Sequence, residues 1–169
     1  MFTIKTNRLG FLPMTAESIE AALSGPAEFE HTSQVKIPED FVNSIYRDRV
    51  FPIRLQKITA NPKLIPWYGF IVELESNTVV GTIGFKSLPN ENGLVEIGYG
   101  IHHTFSGKGY ATEMAKGLIS WAFKQPGVKG ITATDVQKDN FASIKILEKL
   151  GMTVTNQKVT SIDFILYKE

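Results

Sequence analysis

A short glycine-containing loop at the start of a helix is the part of this sequence with the clearest chemical potential. The loop, SGKGYATE, spans Ser106–Glu113 and leads directly into an amphipathic stretch. Glycines allow a tight turn that presents successive backbone N–H groups without side-chain obstruction. The helix start adds unpaired N–H donors and a partial positive charge, and Lys108 adds a full one. The segment therefore predicts a pyrophosphate site, with an ordinary glycine-containing helix start as the alternative.

Two better-known phosphate motifs do not match this loop. A Walker A loop requires a glycine five residues before Gly107 and a Ser or Thr after Lys108, but His102 and Gly109 stand there. A dinucleotide fingerprint, G-x-G-x-x-G, fails at Thr112. That fingerprint also belongs to alternating parallel β-α-β units, which the three strands predicted before the loop contradict.

The strand before the loop, Leu94–Ile101, has two unlike faces. Side chains alternate between the faces of a strand. We expect one face in the core, formed by Val95, Ile97, Tyr99 and Ile101. The other carries a carboxylate and two glycines, so its backbone lies open to close approach: Glu96, Gly98, Gly100 and His102. The alternative is a strand with two packing glycines and a surface Glu96.

The elements around this segment alternate between strand and helix patterns. In the first third of the chain, the pattern predicts a strand over Arg8–Leu12 and then a helix that includes Ile19–Leu23, with Thr15 as its N-cap. A second helix is predicted over Glu39–Lys57, ended or kinked by Pro52. Pro62 and Pro66 mark a loop after it. The remainder predicts strands Trp67–Glu75 and Val79–Ser87 joined by a hairpin at Ser76–Thr78, the strand Leu94–Ile101, a helix over Ala111–Phe123, a strand Gly130–Val136, a helix Asn140–Leu150 ended by Gly151, and strands Val154–Val159 and Ile162–Tyr167.

Composition excludes several classes of protein. The chain has 169 residues, which predicts a single domain over residues 1–169. Its net charge is +1, with no basic excess of the kind that nucleic-acid binding requires. The absence of cysteine rules out disulfides, thiolate metal sites and a Cys nucleophile. No apolar run approaches the length of about 18 residues that spans a membrane, and the N-terminus lacks a signal-peptide pattern. We therefore expect a cytoplasmic protein.

The loop resembles the acetyl-CoA pyrophosphate loop of GNAT acetyltransferases, whose pattern is Q/R-x-x-G-x-G/A. Gly109 and Ala111 match its last two fixed positions. Ser106 stands where the family has Arg or Gln, which removes one side-chain contribution to phosphate binding and leaves the backbone donors unaffected.

Two further segments resemble the RimJ/RimL branch of that family, which acetylates ribosomal-protein N-termini. They are Glu96–Tyr99 and Asn140–Met152, and the second contains an N-x-x-S run and the letters LEKLG. The resemblance covers Trp67–Met152 in order and spacing. It implies the GNAT fold, a mixed α/β (α+β) domain with a central, mostly antiparallel sheet splayed at the cofactor site and flanked by helices. It also implies an acetyl-CoA-dependent N-acetyltransferase.

The same resemblance implies how acetyl-CoA binds as cosubstrate. The pantetheine arm is expected in the gap beside the strand ending at Ile101, where backbone groups pair with it as an added strand would. The loop N–H groups are expected to hold the pyrophosphate. Asn140 is expected to contact the coenzyme arm, or to cap the second helix, or both. The implied cofactor-binding residues are Tyr99, Gly100, Ile101, Ser106, Gly107, Lys108, Gly109, Tyr110, Ala111, Thr112 and Asn140.

The implied reaction is direct attack of a neutral amine on the acetyl thioester in a ternary complex. A base, often acting through water, must deprotonate the amine. A backbone N–H of the splayed strand is expected to stabilise the oxyanion. Glu96 is the first candidate for the base, and water alone or His102 are the alternatives. Leu147 stands where many relatives have a Tyr that protonates the leaving sulfur. Ser143 therefore becomes the candidate acid or thiolate-stabilising donor. The alternative is that the Ser143 hydroxyl bonds only to local backbone.

Several questions stay open at this level. A non-catalytic acetyl-CoA-binding or interaction module on the same fold is the competing hypothesis. The acceptor could be a protein N-terminus, a polyamine, an amino acid or an aminoglycoside, and the branch resemblance favours a peptide or protein α-amine. A homodimer is suggested by analogy alone. We expect no metal site, since His102 and His103 are adjacent and would face opposite ways on a strand.

Overall fold

The computed structural model describes all 169 residues and is built around one eight-stranded sheet. The strand order is β1-β2-β3-β4-β5-β6-β8-β7, and every neighbouring pair is antiparallel except β5–β6. This confirms the mixed α/β architecture with a mostly antiparallel sheet. The strands are β1 (Ile4–Lys5), β2 (Leu9–Pro13), β3 (Tyr68–Glu73), β4 (Thr78–Phe85), β5 (Leu94–Ile101), β6 (Gly130–Gln137), β7 (Thr153–Gln157) and β8 (Ser161–Tyr167).

Five α-helices and three shorter helical turns flank the sheet. The α-helices are α1 (Ala16–Ser24), α2 (Pro26–Ser33), α3 (Phe51–Ala60), α4 (Tyr110–Ala122) and α5 (Phe141–Lys149). The short turns are a π-helix at Tyr46–Val50 and 3₁₀ helices at Pro62–Trp67 and His103–Phe105. None of the helices combines the length and the apolar character needed to cross a bilayer.

Local sequence signals account for most of these elements. Thr15 caps α1 as predicted, since its hydroxyl accepts from Ser18 N at 3.1 Å while Ser18 Oγ accepts from Thr15 N at 2.9 Å. This reciprocal pairing satisfies two N–H groups that the first turn of a helix leaves free. In α4 the predicted apolar stripe is buried, including Met114, Ala115 and Leu118.

The segment before β3 departs from its prediction in three ways. Helical residues begin only after Asn43, whose side chain accepts from Tyr46 N at 3.1 Å, so the first residues of the predicted Glu39–Lys57 helix are not helical. Pro52 does not end the helix, since helical residues continue without a break from Ser44 to Ala60 on both sides of it. The preceding turn is a π-helix instead. Finally, Pro62–Trp67 is a 3₁₀ helix and not an open loop.

Two apolar clusters lie on opposite faces of the sheet and divide the molecule into two sides. Helices α4 and α5 cover one face through residues such as Leu118 and Leu147. Helices α1–α3 cover the other through Ile19, Phe29 and Phe51. The side chains of β5 alternate between these sides as expected, with Val95 and Ile97 buried and Tyr99 and Ile101 half-buried against the α4 side.

Between β5 and β6 the sheet is open over much of its length. The two strands pair only where Leu94–Glu96 meets Gly130–Thr132. Beyond this, Ile97–Ile101 pairs with β4 alone. The sheet therefore opens at the strand that leads into the glycine loop.

Candidate active site

The open edge of β5 presents unpaired backbone groups. Lys86 N donates to Glu96 O, and His102 N donates to Val80 O, so the even-numbered residues of this strand direct their polar backbone groups toward β4. Because these directions alternate along a strand, Tyr99 and Ile101 direct theirs into the gap. An extended ligand lying there can accept and donate backbone hydrogen bonds as a further strand would.

The glycine loop follows this edge and has the backbone conformation that its sequence requires. Gly107 and Gly109 have φ values of 77° and 79°, a left-handed conformation that glycine adopts without cost. Helix α4 begins directly after Gly109 and has no side-chain cap. Its first N–H groups are therefore free to bind an anion, with the helix dipole adding a partial positive charge. Lys108 Nζ lies 5.4 Å from the centroid of the Phe105 ring.

The loop, the open edge and α5 enclose one cavity of about 490 Å³, which we call the loop cavity. It brings together ten of the residues expected at the site: Tyr99, Gly100, Ile101, Ser106, Gly107, Gly109, Tyr110, Ala111, Thr112 and Ser143. Lys145 and Lys149 of α5, which were not predicted, add positive charge to its wall. Lys108, Asn140 and Glu96 do not line it.

Asn140 and Ser143 meet at the start of α5. Asn140 Oδ1 accepts from Ser143 N at 3.2 Å, so the capping role considered for Asn140 is present. The Ser143 hydroxyl lies close to the Tyr99 phenol, and its residue lines the loop cavity. The Tyr99 hydroxyl donates to Ser143 O at 3.5 Å, and burial raises the pKa of Tyr99 above its usual value.

The side chain of Tyr110 is tied to the sheet. Its hydroxyl donates to Glu73, and this bond to a carboxylate raises the pKa of Tyr110 to about 12. The Arg8 guanidinium stacks over the same ring at 4.6 Å from its centroid. The Tyr110 side chain is therefore engaged, and its backbone N–H at the start of α4 is the group left for a ligand.

A carboxylate of α4 anchors this helix to the N-terminal strands. Glu113 accepts from Thr6 Oγ1 at 2.7 Å, from Arg8 N at 2.8 Å and from Arg8 Nε at 2.7 Å. Burial works to raise the pKa of Glu113, but these hydrogen bonds hold it below its usual value. The contact fixes the first turn of α4, and its partners lie more than 100 residues away in sequence.

Glu96 lies where the pairing between β5 and β6 ends. Its Oε1 accepts from Thr132 Oγ1 at 2.6 Å, and its Oε2 accepts from Thr134 N at 2.8 Å and Thr134 Oγ1 at 3.2 Å. Lys86 Nζ is 3.9 Å from Oε2. Oε1 retains a lone pair for a further donor. Glu96 lines none of the cavities that meet at Tyr99, so a ligand in them would contact it only through a bridging molecule.

The prediction that His102 and His103 face opposite ways is wrong. The strand ends at Ile101, and the chain turns into a 3₁₀ helix at His103. Both rings therefore reach the same carboxylate: His102 Nε2 lies 2.8 Å and His103 Nε2 2.9 Å from the two oxygens of Asp40. These bonds, led by that from His103, lower the pKa of Asp40 to about 2.

The possible ligand atoms of Asp40, His102 and His103 all lie within 4.8 Å of one another, so these three side chains could hold a metal ion. The hydrogen bonds account for the convergence without an ion. An ionised carboxylate only accepts, so each ring presents Nε2–H to Asp40. His102 Nδ1 accepts from Thr104 N at 3.4 Å. No lone pair of the His102 ring then faces the neighbouring cavity.

That neighbouring cavity, the histidine cavity, has a volume of about 460 Å³ and shares Tyr99, Gly100 and Ile101 with the loop cavity. Thr82 holds two phenols inside it, that of Tyr46 at 2.9 Å and that of Tyr68 at 3.3 Å. Burial raises the pKa of Tyr46 to about 12, so it remains a neutral donor. Sequence reasoning missed this cluster because its members come from three distant segments.

Known proteins resemble this chain in sequence and in fold. The acetyltransferase (GNAT) domain matches residues 8–153 of the chain. The N-acetyltransferase YjdG of Bacillus subtilis, which is uncharacterised, is 40% identical over 87 residues, covering 52% of this chain and 51% of that protein. The chain thus spans about half the length of the curated relatives it matches.

Solved structures share the fold along almost the whole chain. A ribosomal-protein alanine acetyltransferase from Vibrio fischeri superposes with a TM-score of 0.68 at 14% identity, covering 96% of this chain and 94% of that one. RimL, an α-N-protein acetyltransferase solved in complex with coenzyme A, gives 0.64 at 13% identity, with 96% and 95% covered. These identities establish the fold alone.

Some coenzyme-binding acyltransferase folds are defined by an open sheet edge that leads into a glycine loop at a helix N-terminus. The match over residues 8–153 identifies the family. The chain belongs to the GNAT acetyltransferase family. The family expected from the loop motif is confirmed.

Proposed function

We propose that this protein transfers an acetyl group from acetyl-CoA to a primary amine. The observation that carries the proposal is the loop cavity, in which the open edge of β5 continues into the loop at Gly107 and Gly109 and the free N-terminus of α4. Pantetheine amides and a pyrophosphate are the two ligand groups that these features suit, in this order along the chain. The coenzyme complex of RimL supports the same choice of cosubstrate.

The reacting groups would meet at Tyr99 and Gly100, which the loop cavity and the histidine cavity share. The acetyl thioester reaches this point from the loop cavity, and the amine approaches from the α1–α3 side. The N–H of Tyr99 or Ile101, directed into the gap, would stabilise the oxyanion. The Ser143 hydroxyl would donate to the departing thiolate, since Leu147 is buried and carries no polar group.

Glu96 acting through a water molecule is the proposed base. Its remaining lone pair on Oε1 and its position on the same strand face as Gly98 support this role. The alternative, His102, has both ring nitrogens engaged in hydrogen bonds. Water alone is the other alternative. Glu96→Gln should lower kcat/KM about 10²-fold or more and change the shape of its pH profile. An unchanged profile would eliminate Glu96.

The acceptor is proposed to be an α-amine of a peptide or protein. The support is the resemblance of Glu96–Tyr99 and Asn140–Met152 to the RimJ/RimL branch, together with structural neighbours that act on ribosomal proteins. Small-molecule amines are the competing acceptors.

The proposal is tested by two measurements on the purified protein. Calorimetric titration with acetyl-CoA, with desulfo-CoA and ADP as controls, measures binding. Thiol release with a panel of amines measures transfer. Turnover with any amine supports the enzyme. Binding without turnover across peptides, polyamines, amino acids and aminoglycosides would favour the non-catalytic module, and no binding would remove both.

A further inference from the structure

A third cavity, of about 530 Å³, opens beside Tyr99 on the α1–α3 side, and its wall is basic. Four of its ten lining residues are cations, and none is acidic: Arg49, Arg54, Lys57 and Lys86. We call it the basic pocket. Its apolar part includes Ile45 and Ile53, whose side chains are 59% and 50% exposed although they are large and hydrophobic.

Arg54 carries the strongest indication that this pocket receives an anion. The residue is 4% exposed, yet its guanidinium makes one hydrogen bond, from Nη2 to Leu64 O. Its Nε is buried with no partner at all, and no carboxylate lies within salt-bridge distance. The ring of Tyr68, 5.2 Å away, provides only a cation–π contact.

A buried cation without a counter-charge is costly, and proteins rarely keep one unless something else pairs with it. Burial lowers the pKa of Arg54 to about 10, which leaves it charged near pH 7. The other cations are also free to bind. Arg49 forms no ion pair, Lys57 donates to the carbonyl of Lys86, and Lys86 reaches Glu96 only at 3.9 Å.

The position of the pocket connects it to the reaction. Tyr99 lines the basic pocket, the loop cavity and the histidine cavity, so all three meet at the strand where the acetyl group is expected. A molecule in the basic pocket therefore lies on the acceptor side of β5. An amine attached to it can approach the thioester at Tyr99.

We infer that the acceptor amine carries an anionic group, a carboxylate or a phosphate, which binds Arg54 and Arg49 in the basic pocket. This inference rests on the proposed acetyl transfer and specifies its substrate class. Arginine suits the task because its planar fork pairs with two oxygens of such a group. The exposed Ile45 and Ile53 contact the apolar part of the same molecule.

The test compares matched acceptors in the thiol-release assay. A series of ω-amino acids of increasing chain length is assayed, each paired with the corresponding ω-amino amide. For at least one length, kcat/KM for the carboxylate should exceed that for the amide about tenfold, which corresponds to ~1.4 kcal/mol. Arg49→Gln should abolish the preference by reducing the carboxylate rate alone. Arg47→Gln, a matched change at an exposed arginine outside the pocket, should leave it intact.

Arg54 is followed by a readout that needs no turnover. Succinate, which has no amine, is titrated into the protein saturated with coenzyme A, and the Arg54 Nε–H signal is observed by ¹⁵N NMR. A saturable shift that Arg49→Gln weakens supports the anion site, even where no amine is acetylated and the proposed function fails. Equal kcat/KM for acid and amide at every length, or an Arg54 signal unmoved by succinate, would overturn the inference. Transfer to neutral amines in that case would still support the proposed acetyltransferase activity.

Discussion

Replacing Gly107 by alanine separates the cost of a strained loop from its effect on coenzyme binding. Gly107 has a φ of 77°, and a Cβ built on it meets no atom within 4 Å. Gly107→Ala therefore introduces no clash, only the left-handed backbone strain of a residue with a side chain, ~1–2 kcal/mol. If the loop relaxes to escape this strain, it must return to the strained conformation when acetyl-CoA binds. The Kd for acetyl-CoA should then rise by roughly 5- to 30-fold.

Gly127 provides the matched control. It has a φ of 82°, it too has no neighbour within 4 Å of a built Cβ, and it lies in the turn between α4 and β6, outside the loop cavity. Gly127→Ala should lower Tm by roughly 2–4 °C per kcal/mol of strain, and Gly107→Ala should lower it less to the extent that its loop relaxes in the free protein. Calorimetry with acetyl-CoA should detect the affinity loss for Gly107→Ala alone. Equal affinities for the two variants would refute the assignment of this loop to the pyrophosphate.

Two further predictions concern charged side chains around the site. Glu113→Gln should lower the free energy of unfolding in urea by ~1 kcal/mol, a modest figure because Arg8 is 43% exposed and screened by solvent; an unchanged midpoint would show that the anchoring bonds are not stabilising. Asp40 should titrate at about pH 2, below its usual 3.8, since His103 and His102 donate to it. Its depressed pKa means that its contribution to stability is present above pH 3.8 and is lost as the pH falls through about 2. Carboxyl ¹³C NMR of Asp40 measures this midpoint, and a value near 3.8 would contradict the pairing.

The segment from β5 to α4 could be predicted because its signals are local. Alternating apolar residues define the strand, and a 3.6-residue stripe defines the helix, so the bounds of Leu94–Ile101 agree with the structure. Helix α2 was missed because Phe29 is its single buried residue, which leaves no apolar stripe to detect. Strand β1 has two residues, too few for any periodicity.

The acceptor side could not be predicted because its contacts are long-range. Asp40 meets His102 across 62 positions, and the 3₁₀ turn that brings His103 to the same carboxylate was not predicted. Arg54 falls in an amphipathic helix and resembles an ordinary surface cation until the fold buries it. Pattern reasoning identifies which face of an element is apolar, but it does not indicate which polar residue loses its solvent.

The short pairing between β5 and β6 has a consequence for hydrogen exchange. Three residue pairs join the two strands, so the amides of Tyr99 and Ile101 face solvent in the free protein and should exchange rapidly despite lying in mid-sheet. A coenzyme arm bound along that edge would protect them, while amides bonded to β4 would change little. Each catalytic cycle would then close and reopen the gap between β5 and β6. The protection of these two amides would report the residence time of the coenzyme.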